Sequence, residues 1–260
     1  MNVSRLRAAL VLLSFASLTI PLMPVQQLFV WFWPRMARTF PMYYHRLVLR
    51  ILGVRVNIDG ELLKQGPAIL AANHVSWLDI VILSSVAPVS FIAKRDVNAW
   101  PFFGALARLQ RTVFVDRNRR VTTASSRDEM QERLNAGDML VLFAEGTSGD
   151  GARVLPFKSA FFAAAEHPGV SVQPLSIVYT GHRNLPMTRR LRPLYAWYGD
   201  MDMPPHLWEA AAHGPIEVKI ICHAPLTMAD HGNRKVLAKQ AEEAVREGLV
   251  HALHGRAKMS

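Results

Sequence analysis

Between Ala8 and Pro34 the chain runs for 27 residues without a charge, and the first part of that run, AALVLLSFASLTIPLM, is nearly all apolar. About 20 apolar residues in a straight helix suffice to cross a hydrocarbon core. Pro21 and Pro24 fall near the middle of the run and favour a kinked or re-entrant path. Trp31, Phe32 and Trp33, beside Arg35 and Arg38, have the pattern of an interfacial aromatic belt with basic anchors. Arg46 and Arg50 continue through YYHRLVLRILGVRV, an amphipathic stretch suited to the headgroup layer. Residues 1–50 are therefore expected to form a membrane-anchoring helical segment, spanning the bilayer or dipping into it.

Two plainer readings compete. Arg5 and Arg7 ahead of the run resemble a signal-peptide n-region, but no small-x-small site ends it and apolar aromatic sequence follows. A buried pair of core helices would show equally short apolar runs. Membrane attachment accounts for more of the pattern. The excess of basic residues after the run favours a body on the cytoplasmic face of the inner membrane.

Past residue 50 the single long run gives way to alternation. VRVNIDG (54–60), AILAAN (68–73), SFIAK (90–94), TVFVD (112–116), DMLVLFAE (138–145), VSVQPLSIVYT (170–180) and IEVKIICHA (216–224) read as strands. Helical patterns occupy 76–87, then stretches near 98–109, 120–136, 157–167 and 203–213, and a closing helix near 230–253. Such alternation predicts an α/β fold with a mixed, largely parallel sheet flanked by helices. There is no internal repeat, low-complexity segment or linker to divide residues 51–260, which are expected to form one catalytic-sized domain.

Composition narrows the class of partner. Thirty Lys and Arg against twenty Asp and Glu give +10 and a pI near 10.2, which suits nucleic acid or an anionic membrane surface. The basic residues are not interleaved with aromatics in the manner of a nucleic-acid groove, so the membrane is preferred. An apolar share of 50% and a mean hydropathy of +0.12 exclude intrinsic disorder. The one cysteine, Cys222, excludes a disulfide framework and a thiolate-rich metal site. His206, His213, His223 and His231 lack zinc-site spacing. No metal or other cofactor is expected.

Three stretches could carry chemistry. In NHVSWLD, His74 and Asp79 are five residues apart, which on a continuous helix leaves them about 140° apart and out of contact. If the helix instead begins near Ser76, His74 lies in the preceding turn and folds back. Asp79 then accepts from one imidazole nitrogen and leaves the other as a base. Ser76-x-x-Asp79 is also a capping box, which needs no such histidine, and one Asp can serve both purposes. In LFAEGTSGDG, Glu145 ends an apolar strand ahead of a glycine-rich loop, where α/β sheets gather their sites; an ordinary strand-to-helix turn would look the same. In TVFVDRNRR, Arg117 could fork an anionic headgroup or form a surface salt bridge, and Arg119 and Arg120 suit a basic patch. There is no GxSxG, HExxH or P-loop.

Taken in order, NHVSWLD (73–79), VFVDR (113–117), FAEGT (143–147) and QPLSI (173–177) resemble the four motif blocks of the glycerolipid acyltransferases, the family of 1-acylglycerol-3-phosphate acyltransferases, over about residues 50–200. The resemblance implies that His74, held by Asp79, deprotonates the free hydroxyl of a lysolipid. The alkoxide then attacks the thioester of an acyl-carrier protein or of acyl-CoA. It further implies that Glu145, Gly146 and Thr147 help position the acceptor and that Arg117 and Lys94 bind its anionic headgroup. Pro174, in the fourth block, would lie on the acyl-donor side.

The third block departs from the family pattern FPEGTR. Ala144 replaces the proline, and Ser148 stands where an arginine serves the acceptor phosphate, followed by Gly149 and Asp150. Losing a guanidinium fork weakens the case for a lysophosphatidate acceptor. An acidic residue nearby suits an acceptor with an amine, such as a lyso-ornithine lipid. Arg153 or Arg117 could restore the charge, so 1-acylglycerol-3-phosphate stays an alternative. A further alternative is a non-catalytic, basic membrane-binding protein, supported by the net charge and by Arg189 and Arg190.

Overall fold

Strand alternation in the sequence becomes a two-faced sheet. In a computed structural model the described residues are 3–115 and 124–254. The chain opens with two helices, α1 (Val3–Phe32) and α2 (Pro34–Leu52). It continues through β1 (Val54–Asp59), β2 (Ala68–Ala72), α3 (Leu78–Val86), β3 (Val89–Lys94), α4 (Phe103–Leu109) and β4 (Val113–Val115). Then come α5 (Ala124–Asn135), β5 (Met139–Phe143), β6 (Ser171–His182), β7 (Leu185–Pro186), α6 (Met203–His213), β8 (Ile216–Cys222), β9 (Leu226–Thr227), α7 (Met228–His231) and α8 (Arg234–His254). The pattern near 98–109 resolves into a 3-10 helix, Arg95–Ala99, ahead of α4, and that near 157–167 into another, Ser159–Glu166.

Among the described residues the strands form one sheet in the order β1-β8-β6-β2-β5-β3-β4, with β7 and β9 also paired to β6. β2 runs parallel to β5 and β6, β3 to β5 and β4, and β1 to β8; β6 and β8 are antiparallel. The sheet is mixed and mostly parallel, as the alternation predicts. Period-two burial splits its two faces. Leu70, Met139, Val141 and Phe143 pack with α1, α2, α3 and α6. Ile69, Leu140 and Leu142 pack with α5, α8 and the 159–166 helix.

α1 does not bend back at its prolines. It remains helical through both Pro21 and Pro24, and the chain reverses at Trp33. At 1.5 Å per residue its length is about 45 Å. α2 returns alongside, since Thr19 Oγ1 and Tyr44 Oη are 2.7 Å apart and Gln26 Nε2 donates to Ala37 O at 3.0 Å. That carbonyl has no helical donor, because the residue four further on is Pro41. The same Nε2 donates to Leu109 O, at the end of α4, at 2.9 Å. At the other end, Arg7 of α1 donates to Leu52 O at 3.1 Å and to Ala211 O of α6.

One face of α1 is left over. Ala8, Val11, Thr19 and Gln26 are buried, yet only 17% of the most apolar window of the helix is. Leu6, Leu10, Leu13, Ile20, Leu28 and Trp31 stay exposed, and at 100° per residue they fall within an arc of about 80°. On α2 the exposed Met36, Tyr43 and Leu47 align beside a row made by Arg35, Arg46 and Arg50. Arg38 does not join that row. Its guanidinium lies 2.9 Å from the buried Asp138, which also takes Arg111 and Arg133, so it braces the fold instead of facing outward.

Candidate active site

β2 and β5 are parallel neighbours with Ala72 beside Phe143, so the loops leaving their C-terminal ends meet. The first is the turn 73–77. Asn73 locks it to β6 by donating to Ile177 O (3.0 Å) and accepting from Ile177 N (2.7 Å). α3 begins only at Leu78, and the break from helical path brings His74 back over the first turn. His74 Nδ1 lies 2.8 Å from Asp79 Oδ2. The same oxygen accepts the N–H groups of Val75 at 2.7 Å and Ser76 at 2.9 Å, so Asp79 braces the imidazole and caps the turn together.

Tyr179 Oη donates to the other carboxylate oxygen at 2.8 Å. Burial, then the charge of Asp79, hold the Tyr179 phenol well above its ordinary pKa, so it stays a donor. Asp79 is fully buried and accepts from four groups, leaving Nδ1 of His74 as a donor and Nε2 as the bare basic nitrogen. The ring stacks on Phe143 with centroids 3.9 Å apart and planes at 13°.

The second loop, 144–149, is stitched to the first. Gly149 N donates to His74 O at 2.9 Å and Ala144 N to Ala72 O at 3.3 Å. Glu145 points inward: it accepts from His74 N at 3.3 Å and from Leu155 N at 3.0 Å and is 3% exposed. Burial pushes its carboxyl up to about 8 against the pull of those two bonds, with Asp79 and Glu242 adding to the rise. Its oxygens are occupied by backbone, so Glu145 shapes the loop from beneath.

His74 opens onto an apolar cavity of about 420 Å³ between the sheet ends and the N-terminal hairpin. Leu22, Met23 and Gln26 of α1, Val48 of α2 and Val81 of α3 are among the residues that line it. Lys94, Gly146, Thr147 and Ser148 also border it. Trp77 walls it and is held by donating Nε1–H to His206 Nδ1 at 3.1 Å, while His206 Nε2 donates to Ala196 O at 3.1 Å. His206 is thus a structural residue of this wall.

The structure brings His74, Asp79, Lys94, Glu145, Gly146 and Thr147 to one end of the sheet. Asp116, Arg117, Arg119 and Arg120 lie outside the described residues. Pro174 is not in the cavity wall: it is buried within β6, between β2 and β8, where its carbonyl accepts from His223 N at 3.1 Å. No spacing signal pointed to Tyr179, 100 residues from Asp79, or to Phe143 as the ring stacked on His74.

Comparison with known proteins gives consistent matches. A family model described as Acyltransferase matches residues 54–178. A lyso-ornithine lipid O-acyltransferase of Brucella abortus is 43% identical over 98% of both chains, and one of Rhizobium meliloti is 42% identical over 97% of this chain and 89% of its own. A 1-acyl-sn-glycerol-3-phosphate acyltransferase of Neisseria gonorrhoeae is 33% identical over 68% of each. In fold, the crystal structure of the 1-acyl-sn-glycerophosphate acyltransferase of Thermotoga maritima superposes with a TM-score of 0.71 at 23% identity, covering 99% of both chains.

Proposed function

The chain belongs to the acyltransferase family, and from that premise we propose that it transfers a fatty acyl group from a thioester donor to the free hydroxyl of a lyso-ornithine lipid. The observation that carries the chemistry is the 2.8 Å contact between His74 Nδ1 and a fully buried Asp79, at the mouth of an apolar cavity. His74 Nε2 takes the hydroxyl proton as the acceptor oxygen attacks the thioester carbonyl. The C–S bond breaks, and the imidazolium returns the proton to the departing thiolate. Asp79 and Tyr179 hold the imidazole in the tautomer that makes this possible. A thioester is already activated, so the demand on the protein is a placed base and a dry channel for the chain.

The cavity suits the acyl chain, being lined mainly by apolar side chains of α1, α2, α3 and α4. Lys94 borders the headgroup end, and Arg117 stays a candidate ligand there. The exposed stripe of α1 and the arginine row of α2 suit a hairpin seated in one leaflet, apolar side down and Arg35, Arg46 and Arg50 at the phosphates. Seating residues 1–50 so, with residues 51–260 as the acyltransferase domain, presents the cavity to lipid from the cytoplasmic face of the inner membrane. The charge of +10 suits that anionic leaflet and equally an acidic carrier protein as donor.

Ser148 in place of an arginine, with full-length relatives named for lyso-ornithine lipid, favours the amino-lipid acceptor over 1-acylglycerol-3-phosphate. Initial rates of the purified chain with both lysolipids, each with acyl-carrier-protein and CoA thioesters, test the proposal. Preference for lyso-ornithine lipid is expected. A strong preference for 1-acylglycerol-3-phosphate overturns the acceptor.

A further inference from the structure

Along the second loop, just outside the cavity lining, stand two charged side chains that the proton transfer does not use. One is Lys158. The segment carrying it is fixed by three successive backbone bonds: Leu155 N to Glu145 Oε1 at 3.0 Å, Phe157 N to Glu242 Oε2 at 2.8 Å, and Lys158 N to Ala144 O at 2.9 Å. Thus anchored, the lysine crosses the second loop at Gly146. A Cβ there would lie 2.8 Å from its Nζ and 3.0 Å from the Phe161 ring, and the φ of +75° is what favours glycine at this position. The ammonium rests 5.9 Å from the Phe161 ring centroid and has no carboxylate partner among the described residues.

The other is Asp150. Gly149, just before it, bonds the carbonyl of His74, which keeps Asp150 next to the imidazole-bearing turn. Its Oδ1 accepts from Ala152 N at 2.9 Å; the side chain is exposed and pairs with no cation among the described residues. Only three residues lie between Gly146 and Asp150, a span of at most about 14 Å. Between them Ser148 lines the cavity without charge.

We propose that Lys158 and Asp150 form a two-ended clamp for a zwitterionic amino-acid headgroup, Lys158 binding its α-carboxylate and Asp150 its side-chain ammonium. The inference rests on the lyso-ornithine reading of the acceptor. An N-acylated ornithine presents one carboxylate and one ammonium, and this loop supplies the complement of each. The same pair discriminates: a phosphate monoester meets the Asp150 carboxylate as a like charge, where an ornithine ammonium meets it as an opposite one. Clamping the headgroup would orient the acceptor hydroxyl toward His74 Nε2.

The test varies both sides of each contact. The full chain, in non-ionic detergent micelles, is assayed with lyso-ornithine lipid, its carboxylate methyl ester, its side-chain N-acetyl derivative and 1-acylglycerol-3-phosphate. Wild type should lose about tenfold or more in kcat/KM on either blocked derivative, the size expected for one hydrogen bond to a charged group. Lys158→Met should raise KM for lyso-ornithine lipid about tenfold while costing far less on the methyl ester, with Lys158→Arg restoring part of the loss. Asp150→Asn should show the matching coupling to the N-acetyl derivative and improve use of 1-acylglycerol-3-phosphate. Equal losses on parent and blocked lipids, or wild-type indifference to blocking, overturn the clamp. If wild type does not turn over lyso-ornithine lipid at all, the acceptor reading falls and takes the clamp with it, so the two failures are distinct.

Discussion

The turn at His74 and the hairpin of α1 and α2 meet at one cavity, yet they are built on opposite terms. At the turn nearly every polar atom is spoken for within the protein: Asp79 accepts four hydrogen bonds, Glu145 two, and Asn73 is bonded at both ends of its amide. In the hairpin the inner face is satisfied and the outer face is not. Leu13 and Trp31 are 64% and 65% exposed, a cost in water that a hydrocarbon layer would remove. Geometry at the turn is set by the chain itself, whereas the hairpin leaves an apolar face for which we propose a hydrocarbon partner. Damage to the first should abolish chemistry with the location intact, and damage to the second should do the reverse.

The widest separation is expected from His74→Ala. Turnover should fall roughly a hundredfold or more, with vesicle binding and circular dichroism unchanged; retained turnover would remove the base from the scheme. Asp79→Ala should strike both activity and fold, since it leaves four donors without an acceptor. We expect a loss of about 3 kcal/mol in urea unfolding along with the activity. On the other side, Leu10→Glu with Leu13→Glu should lower partition into anionic vesicles on the order of a hundredfold. Stability in detergent should hold, because both side chains are already exposed. Where the regions meet, Met23→Trp takes up space in the cavity and should shift donor preference to chains shorter by about two methylenes, read from competition among acyl thioesters.

The smallest effect concerns Glu145. Its carboxyl is raised from 4.5 to about 8, chiefly by burial, so folding takes up a proton between those values. A raised carboxyl stabilises fully at low pH, and its contribution fades as pH climbs from about 4.5 through about 8, by at most about 1.4 kcal/mol per unit. Glu145→Gln should flatten that slope in thermal melts taken across the range. A variant with the same slope as wild type would reassign the titration to another group.

Much of the architecture was legible because local signals agreed. Apolar runs bounded by Gly, Pro and Asn marked the strands at 54–60, 68–73 and 138–145 to within a few residues of β1, β2 and β5. The spacing of His74 and Asp79 was informative because it fails on a continuous helix and works only with the turn that the structure contains. What the sequence concealed was tertiary. Tyr179 reaches Asp79 because β6 continues past the end of β2, and no local pattern announces a strand's overhang. Lys158 carried no local signal, since its place over Gly146 depends on backbone anchors from the 144–145 loop and from α8. The prolines of α1 suggested a bend at their own positions, while packing against α2 and α6 kept the helix whole and moved the reversal to Trp33.

Gln26 gives the chamber wall its character. One amide nitrogen bridges carbonyls on α2 and α4 from a side chain on α1, so those three helices are riveted at a single point. A guest too bulky for the chamber cannot gain room there without losing a linkage, because parting α1 from α2 breaks one bond and parting α1 from α4 breaks the other. The enzyme should therefore reject misfit tails abruptly, with a sharp cut-off in place of a gradual decline.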